Sequence, residues 1–206
     1  MSNRAHAIIK FERRAFGASD FMLCLVIADR SPNLDFVSFV RDNKIDLIIT
    51  LGDLSYGDLA GLENIKDIPK IGVYGNHDSG TYMPSLGVIN LHMATWEYGG
   101  LKFGGFQGCV RYKENPDAVM YTQEEASRMF AVFPPVDVMI AHCPPRGIND
   151  EDEIAHQGFD GLRKYLDTHH PKVLVHGHTY PSENELVREY NGTRIEYVYR
   201  YRVVEI

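Results

Sequence analysis

The chain has 206 residues, of which 44% are hydrophobic and 24% charged, and its formal net charge is −7. This size suits one domain with a substantial core, and the acidic balance argues against nucleic acid as a partner, because broad nucleic-acid binding requires a basic face. Three cysteines without CxxC spacing, no secretion-signal pattern and no apolar run of membrane-spanning length lead us to expect a cytoplasmic protein without a disulfide framework or a membrane partner.

The first half of the chain alternates apolar runs with a helical pattern. Residues 1–20 have the weakest pattern and fit an appended strand or arm. Residues 31–44 predict a helix with Pro32 near its first turn and apolar side chains on one face. Short, nearly continuous apolar runs predict buried strands at residues 21–29, 45–53 and 68–78.

The second half is richer in β-patterns. Residues 91–108 predict a hairpin that turns at Gly99-Gly100, and residues 185–206 alternate around an Asn191-Gly192 turn. Thr122 and Glu125 form a capping-box pattern at the start of a helix. Further helices and strands are predicted at residues 122–133, 136–145, 159–170 and 172–178. Because strands and helices alternate first and antiparallel β follows, we predict a two-sheet sandwich with outer helices.

Polar residues follow five of the predicted strands at the point where each strand ends. In open α/β sheets, ligands bind beyond the carboxyl ends of the strands. Aspartate, asparagine and histidine are ligand types for Mn²⁺, Fe²⁺ or Zn²⁺. Taken alone, Asp29 also fits a helix cap and His142 a hydrogen-bonded histidine of the core. The five clusters are Asp29, Gly52-Asp53, Gly75–Asp78, His142 and Gly177-His178.

These clusters resemble the ordered signature of the calcineurin-like metallophosphoesterases, which reads D-x-H, G-D, G-N-H-[DE], H and G-H-x-H. The matching pieces are ADRS (28–31), LGDL (51–54), YGNHDS (74–79), AHCPP (141–145) and HGHTY (176–180). The resemblance covers about residues 21–182. It implies a four-layer α/β/β/α sandwich of two mixed sheets flanked by helices, here as a single domain over residues 1–206 with residues 1–20 as an N-terminal extension.

The resemblance also implies a metal centre. Asp53 corresponds to the carboxylate shared by two ions, Asp29 belongs to the first site, and the second site is completed by Asn76, His142 and His178. Ser31 and Tyr180 stand where the family has histidine, and both positions belong to the first site. We therefore expect one secure site and one weak site, with Mn²⁺ favoured over Fe²⁺, Zn²⁺, Ni²⁺ or Mg²⁺.

Catalytic and substrate-binding candidates lie within these motifs or between them. The resemblance implies that His77 faces the substrate phosphate, and Asp78 is a candidate to orient its imidazole. Candidates for substrate contact are Arg30, Arg146, His156 and Tyr180. The alternative is a solvated or Asp-paired side chain for Arg30, a surface role for Arg146 and His156, and a hindered ligand of the first metal site for Tyr180. His176 has two readings, a replacement ligand or a locally hydrogen-bonded side chain. The tyrosines of the tail are interpreted as packing residues.

The leading functional hypothesis is hydrolysis of a phosphomonoester or phosphodiester, with a small nucleotide or cyclic nucleotide as the expected kind of substrate. The opposing hypothesis is a catalytically impaired member of the fold that acts as a binding or scaffold module, since Ser31 and Tyr180 remove ligands from one site. A nuclease is a third alternative, against which the acidic net charge argues.

Overall fold

The computed structural model describes residues 21–206, so the predicted arm at residues 1–20 lies outside the described residues. Within the described range the helices are α1 (Phe36–Asp42), α2 (Met83–Leu86), α3 (Gln123–Ala131) and α4 (Asp160–His169), with 3-10 turns at Leu62–Asn64 and Ile154–His156. The strands are β1 (Leu23–Ala28), β2 (Leu47–Thr50), β3 (Lys70–Gly72), β4 (Ile89–Asn90), β5 (Thr95–Tyr98), β6 (Leu101–Phe106), β7 (Cys109–Val110), β8 (Met120–Tyr121), β9 (Val138–Ala141), β10 (Val173–His176), β11 (Glu189–Tyr190), β12 (Thr193–Tyr197) and β13 (Arg200–Glu205).

The first sheet has the strand order β13-β1-β2-β3-β4. Strands β1 to β4 are parallel, and β13 pairs antiparallel with β1. All four residues of β2 and all three of β3 are buried, as expected for parallel strands covered on both faces. The carboxyl ends of β1, β2 and β3 therefore lie along one edge of this sheet.

The second sheet has the order β11-β12-β10-β9-β6-β5. The β5-β6 hairpin turns at Gly99-Gly100 as predicted. The prediction that antiparallel β fills this half is wrong, because β6, β9, β10 and β12 pair in parallel. Helices α3 and α4 lie between β6 and β9 and between β9 and β10, and each returns the chain to the amino end of the sheet.

The two sheets pack face to face, and the alternation of side chains along their strands produces the layers. On β1, Val26 points into the core between the sheets, whereas Leu25 packs into the cluster that contains Phe36 of α1. On β9, Ile140 faces the inter-sheet core and Met139 faces the cluster with helices α3 and α4. The predicted four-layer α/β/β/α sandwich of two mixed sheets is confirmed.

Helix starts follow the capping residues. Thr122 accepts a hydrogen bond from Glu125 N, and the Glu125 carboxylate accepts from Thr122 N, so the predicted capping box is present. Helix α1 begins later than predicted, because its N-cap is Asp35 rather than a residue near Pro32. Among residues 21–206, none of the helices combines the length and apolar character needed to cross a bilayer.

Candidate metal centre

Sharp turns at strand ends bring the candidate ligands to one edge of the sandwich. Asp29, Asp53 and His178 have φ angles of 64°, 54° and 73°. Positive φ is uncommon for residues other than glycine, and such backbone strain clusters at functional sites. Gly52 and Gly75 let the loop after β2 touch the loop after β3. A Cβ on Gly52 would lie 2.0 Å from Gly75 N.

The carboxylate of Asp78 joins the loops that follow β2 and β3. It accepts hydrogen bonds from Leu54 N at 2.8 Å, from Gly75 N at 2.7 Å and from Asp53 N at 3.1 Å. The hydroxyl of Tyr82 also donates to it at 3.3 Å. Burial raises the pKa of Asp78, while the backbone N–H groups oppose that rise. Through these contacts Asp78 positions the loop backbone, and its predicted role in orienting the His77 imidazole stays a prediction.

His142 is fully buried and has its two ring nitrogens in different environments. Its Nδ1 lies 2.8 Å from the carbonyl oxygen of Leu51, and a carbonyl only accepts, so Nδ1 carries the proton. In the neutral ring the lone pair is then on Nε2, which lies 3.0 Å from Asn76 Oδ1 and 3.6 Å from Asp53 Oδ1. Three electron-rich atoms thus face one another, an arrangement that a cation stabilises.

His178 adds a further candidate ligand to His142, Asn76 and Asp53. Its Nε2 lies 2.8 Å from the carbonyl oxygen of Ala155, which places the proton there and leaves the lone pair on Nδ1. Burial, and then the nearby His142, lower the pKa of His178 well below its usual value, so the ring is neutral. Ligand atoms of Asp53, His142 and His178 all lie within 4.8 Å of one another. With Asn76, this donor set of nitrogens and oxygens fits one divalent transition-metal ion.

The residues of the family's first site do not form a comparable donor set. Both oxygens of Asp29 accept from His178 N, at 3.2 and 3.1 Å, and burial raises the pKa of this carboxyl to about 6. The hydroxyl of Ser31 donates to Asn33 Oδ1 at 3.2 Å. Tyr180 is 55% exposed. Among the described residues, the carboxylates that line a cavity together with Tyr180 are Asp29 and the shared Asp53.

His176 does not replace a missing ligand. Its Nδ1 donates to the carbonyl oxygen of Gly177 at 3.1 Å, and its Nε2 accepts from Asn149 Nδ2 at 3.1 Å. Both nitrogens are therefore used within the core. Burial lowers the pKa of His176 to about 4, which keeps the ring neutral.

The sequence model of calcineurin-like phosphoesterases matches residues 28–182. The chain belongs to the calcineurin-like phosphoesterase family. Family membership supports a metal-dependent phosphoesterase in general, that is, a hydrolase. The matched range includes every cluster described above, from Asp29 to Tyr180.

Two solved structures share this phosphoesterase fold. One crystal structure is 14% identical over 85% of this chain and 90% of that chain, with a TM-score of 0.60. The crystal structure of TT1561 of Thermus thermophilus is 16% identical over 85% of this chain and 88% of that chain, with a TM-score of 0.59. At these identities the likeness concerns the fold alone. No curated protein sequence matches the chain.

The structure has a cavity of about 310 Å³ that Asp53 and His178, two of the candidate metal ligands, help to line. His77 is exposed in it, and its backbone N–H donates to Asp53 Oδ1 at 2.8 Å. Of the four candidates for substrate contact, only Arg146 lies elsewhere, 3.6 Å from Asp150. The lining residues are Asp29, Arg30, Asp53, His77, His156, His178 and Tyr180.

Sequence patterns missed the groups that orient the ligands of this phosphoesterase. The carbonyl oxygens of Leu51 and Ala155 fix the two imidazoles, and a backbone carbonyl has no signature in the sequence. Glu151 was also missed, although its Oε2 lies 3.4 Å from His156 Nδ1. The acidic run EDE just before His156 is the only sequence signal for that contact.

Proposed function

We propose that the chain hydrolyses small phosphomonoesters or phosphodiesters with one divalent ion held by Asp53, Asn76, His142 and His178. The convergence of acceptor atoms around His142 Nε2 is the observation that carries this proposal. Mn²⁺ is the favoured ion, because a set of two oxygens and two imidazoles suits a borderline metal. The family's first site, which contains Asp29, has too few ligands, so we propose that this site is weak.

The bound ion would supply Lewis-acid polarisation of the phosphoryl group. His77 is tethered by its backbone to Asp53, so its imidazole can reach into the cavity and give a proton to the leaving oxygen. Asp78 acts on catalysis indirectly, by holding the turns that carry Asp53 and His77. Arg30 is the cation in the cavity lining, and we propose that its guanidinium clamps a phosphate oxygen.

A direct test is hydrolysis of p-nitrophenyl phosphate and bis-p-nitrophenyl phosphate in the presence of Mn²⁺. The two substrates separate monoesterase from diesterase activity. His77→Asn is expected to lower kcat by about 100-fold or more, the usual contribution of a proton donor. His170→Asn is the matched control, because His170 is exposed with a positive φ of 47° that asparagine tolerates, and it should retain wild-type kcat.

A binding or scaffold module is the second candidate function. It is favoured by the loss of two ligands at the first site and by the solvent-exposed ring of Tyr180. Protein that contains Mn²⁺ and hydrolyses neither substrate would support this candidate and refute the enzyme proposal.

A further inference from the structure

Two tyrosines form an aromatic rim on the proposed phosphoesterase site. Tyr180 lines the cavity together with Asp53 and His178, and Tyr199 packs against it. The two ring centroids are 5.6 Å apart at an interplanar angle of 77°, an edge-to-face contact. The two residues are 55% and 40% exposed, so both remain accessible to a ligand. We call this pair the tyrosine rim.

The Tyr180 ring is held in place although it is exposed. His156 contacts it from inside the cavity, with centroids 6.1 Å apart at 78°. The backbone N–H of Tyr180 donates to Glu151 Oε1 at 3.3 Å. An aromatic side chain supported in this way offers a rigid contact surface at low cost in conformational entropy. The tail tyrosines were expected to be packing residues, but Tyr199 leaves a large part of its surface free for a ligand.

One cavity brings together groups that suit a phosphate and an aromatic ring. Arg30, His77 and the candidate metal ligands Asp53 and His178 suit the phosphate. Tyr180 lines the same cavity, and Tyr199 packs against Tyr180. An apolar aromatic edge beside a phosphate site is suited to the organic group that the phosphate carries.

We propose that the tyrosine rim selects phosphoesters whose organic group is a planar aromatic ring. The ring stacks on Tyr180, which Tyr199 supports edge-to-face, while the phosphate lies by Arg30 and the candidate metal ligands. This inference rests on the proposed function, because it requires a phosphoester in the same cavity. It assigns Tyr180 and Tyr199 as specificity-determining residues.

The test compares phenylphosphonate with cyclohexylphosphonate, which are resistant to hydrolysis and have the same number of ring carbons. Binding is measured by isothermal titration calorimetry in the Mn²⁺-loaded protein. Stacking predicts that phenylphosphonate binds roughly 3- to 10-fold more tightly, the range expected for an aromatic pair. Burial of apolar area alone predicts equal binding or a preference for the larger saturated ring.

Substitutions test whether the preference for phenylphosphonate depends on the tyrosine rim. Tyr180→Phe and Tyr199→Phe keep the rings and should keep the preference, whereas Tyr180→Leu should abolish it and Tyr199→Leu should reduce it. Tyr201→Leu is the matched control, because the Tyr201 ring packs on Phe39 at 5.6 Å and does not line the cavity.

Three outcomes would overturn the proposal. Equal binding of the two phosphonates, or a preference that survives in Tyr180→Leu, would show that the rim does not select the substrate while leaving phosphoester binding intact. Binding of neither phosphonate by Mn²⁺-loaded protein would reject the phosphate site itself, and the proposed function with it.

Discussion

His142 shows how single atoms define the candidate metal centre. Its proton is fixed on Nδ1 by the Leu51 carbonyl, so its free nitrogen faces Asn76 and Asp53. The identity of these ligand candidates could be predicted, because polar residues at strand ends stand out against apolar strands. The tautomer could not, because it depends on a carbonyl 91 residues away in the chain.

His142→Gln is expected to weaken Mn²⁺ affinity by at least about 100-fold, since loss of a ligand costs more than loss of its hydrogen-bond partner. Titration of Mn²⁺ into chelator-treated protein measures the change. His176→Gln is the matched control, because His176 is also buried but uses both nitrogens within the core. Equal affinities for His142→Gln and wild type would remove His142 from the metal centre.

At the scale of elements, the loops after β2 and β3 act as one unit held by Asp78. The sequence indicated Asp78 as a catalytic partner, because it adjoins His77 in the motif. The structure shows it accepting three backbone N–H groups from two loops, and such contacts have no local signature in the sequence. Gly52 and Gly75 are needed, since any side chain there would meet the opposite loop.

Asp78→Asn is expected to lower the free energy of unfolding by about 1–3 kcal/mol, because an amide cannot accept all the hydrogen bonds of the carboxylate. Urea unfolding measures this change. Asp117→Asn on an exposed loop is the control, with an expected change below about 0.5 kcal/mol. The Mn²⁺ affinity of Asp78→Asn should also fall, because Asp53 loses its support. Unchanged stability would contradict the role of Asp78 in joining the loops.

At the scale of the whole molecule, the sandwich could be predicted from alternating patterns and the strand-end motifs. The pairing within the second sheet could not be predicted from local patterns, because the residue pattern of a strand does not identify the strand with which it pairs. The predicted helices α3 and α4 were the relevant signal, since a helix between two strands favours parallel pairing.

Assembly of this sheet also partly buries His92, whose Nδ1 accepts from Gln107 N and whose Nε2 contacts the Tyr121 hydroxyl.

Burial of neutral histidines makes stability depend on pH. Burial lowers the pKa of His92 to about 4 from an ordinary value of 6.5. Protons therefore bind preferentially to the unfolded chain, so stability is full above pH 6.5 and falls as the pH drops from 6.5 to 4. His92→Gln should reduce that fall by on the order of 1–2 kcal/mol, less than the full shift because the ring is partly exposed.

Chemical unfolding at a series of pH values measures this effect, with chelator present so that metal binding does not contribute. An unchanged pH profile in His92→Gln would contradict the assignment of a buried neutral ring. A uniform loss of stability at all pH values would show that His92 contributes packing alone.

The most direct test of the central claim is titration of Mn²⁺ into metal-free protein while bound ion and hydrolysis of p-nitrophenyl phosphate are recorded together. We predict that the rate rises in proportion to bound Mn²⁺ and reaches its maximum at one ion per chain. Maximal hydrolysis only at two ions per chain would contradict the single-ion proposal. Full binding of one ion without hydrolysis of either nitrophenyl substrate would contradict the assignment of the chain as an active phosphoesterase.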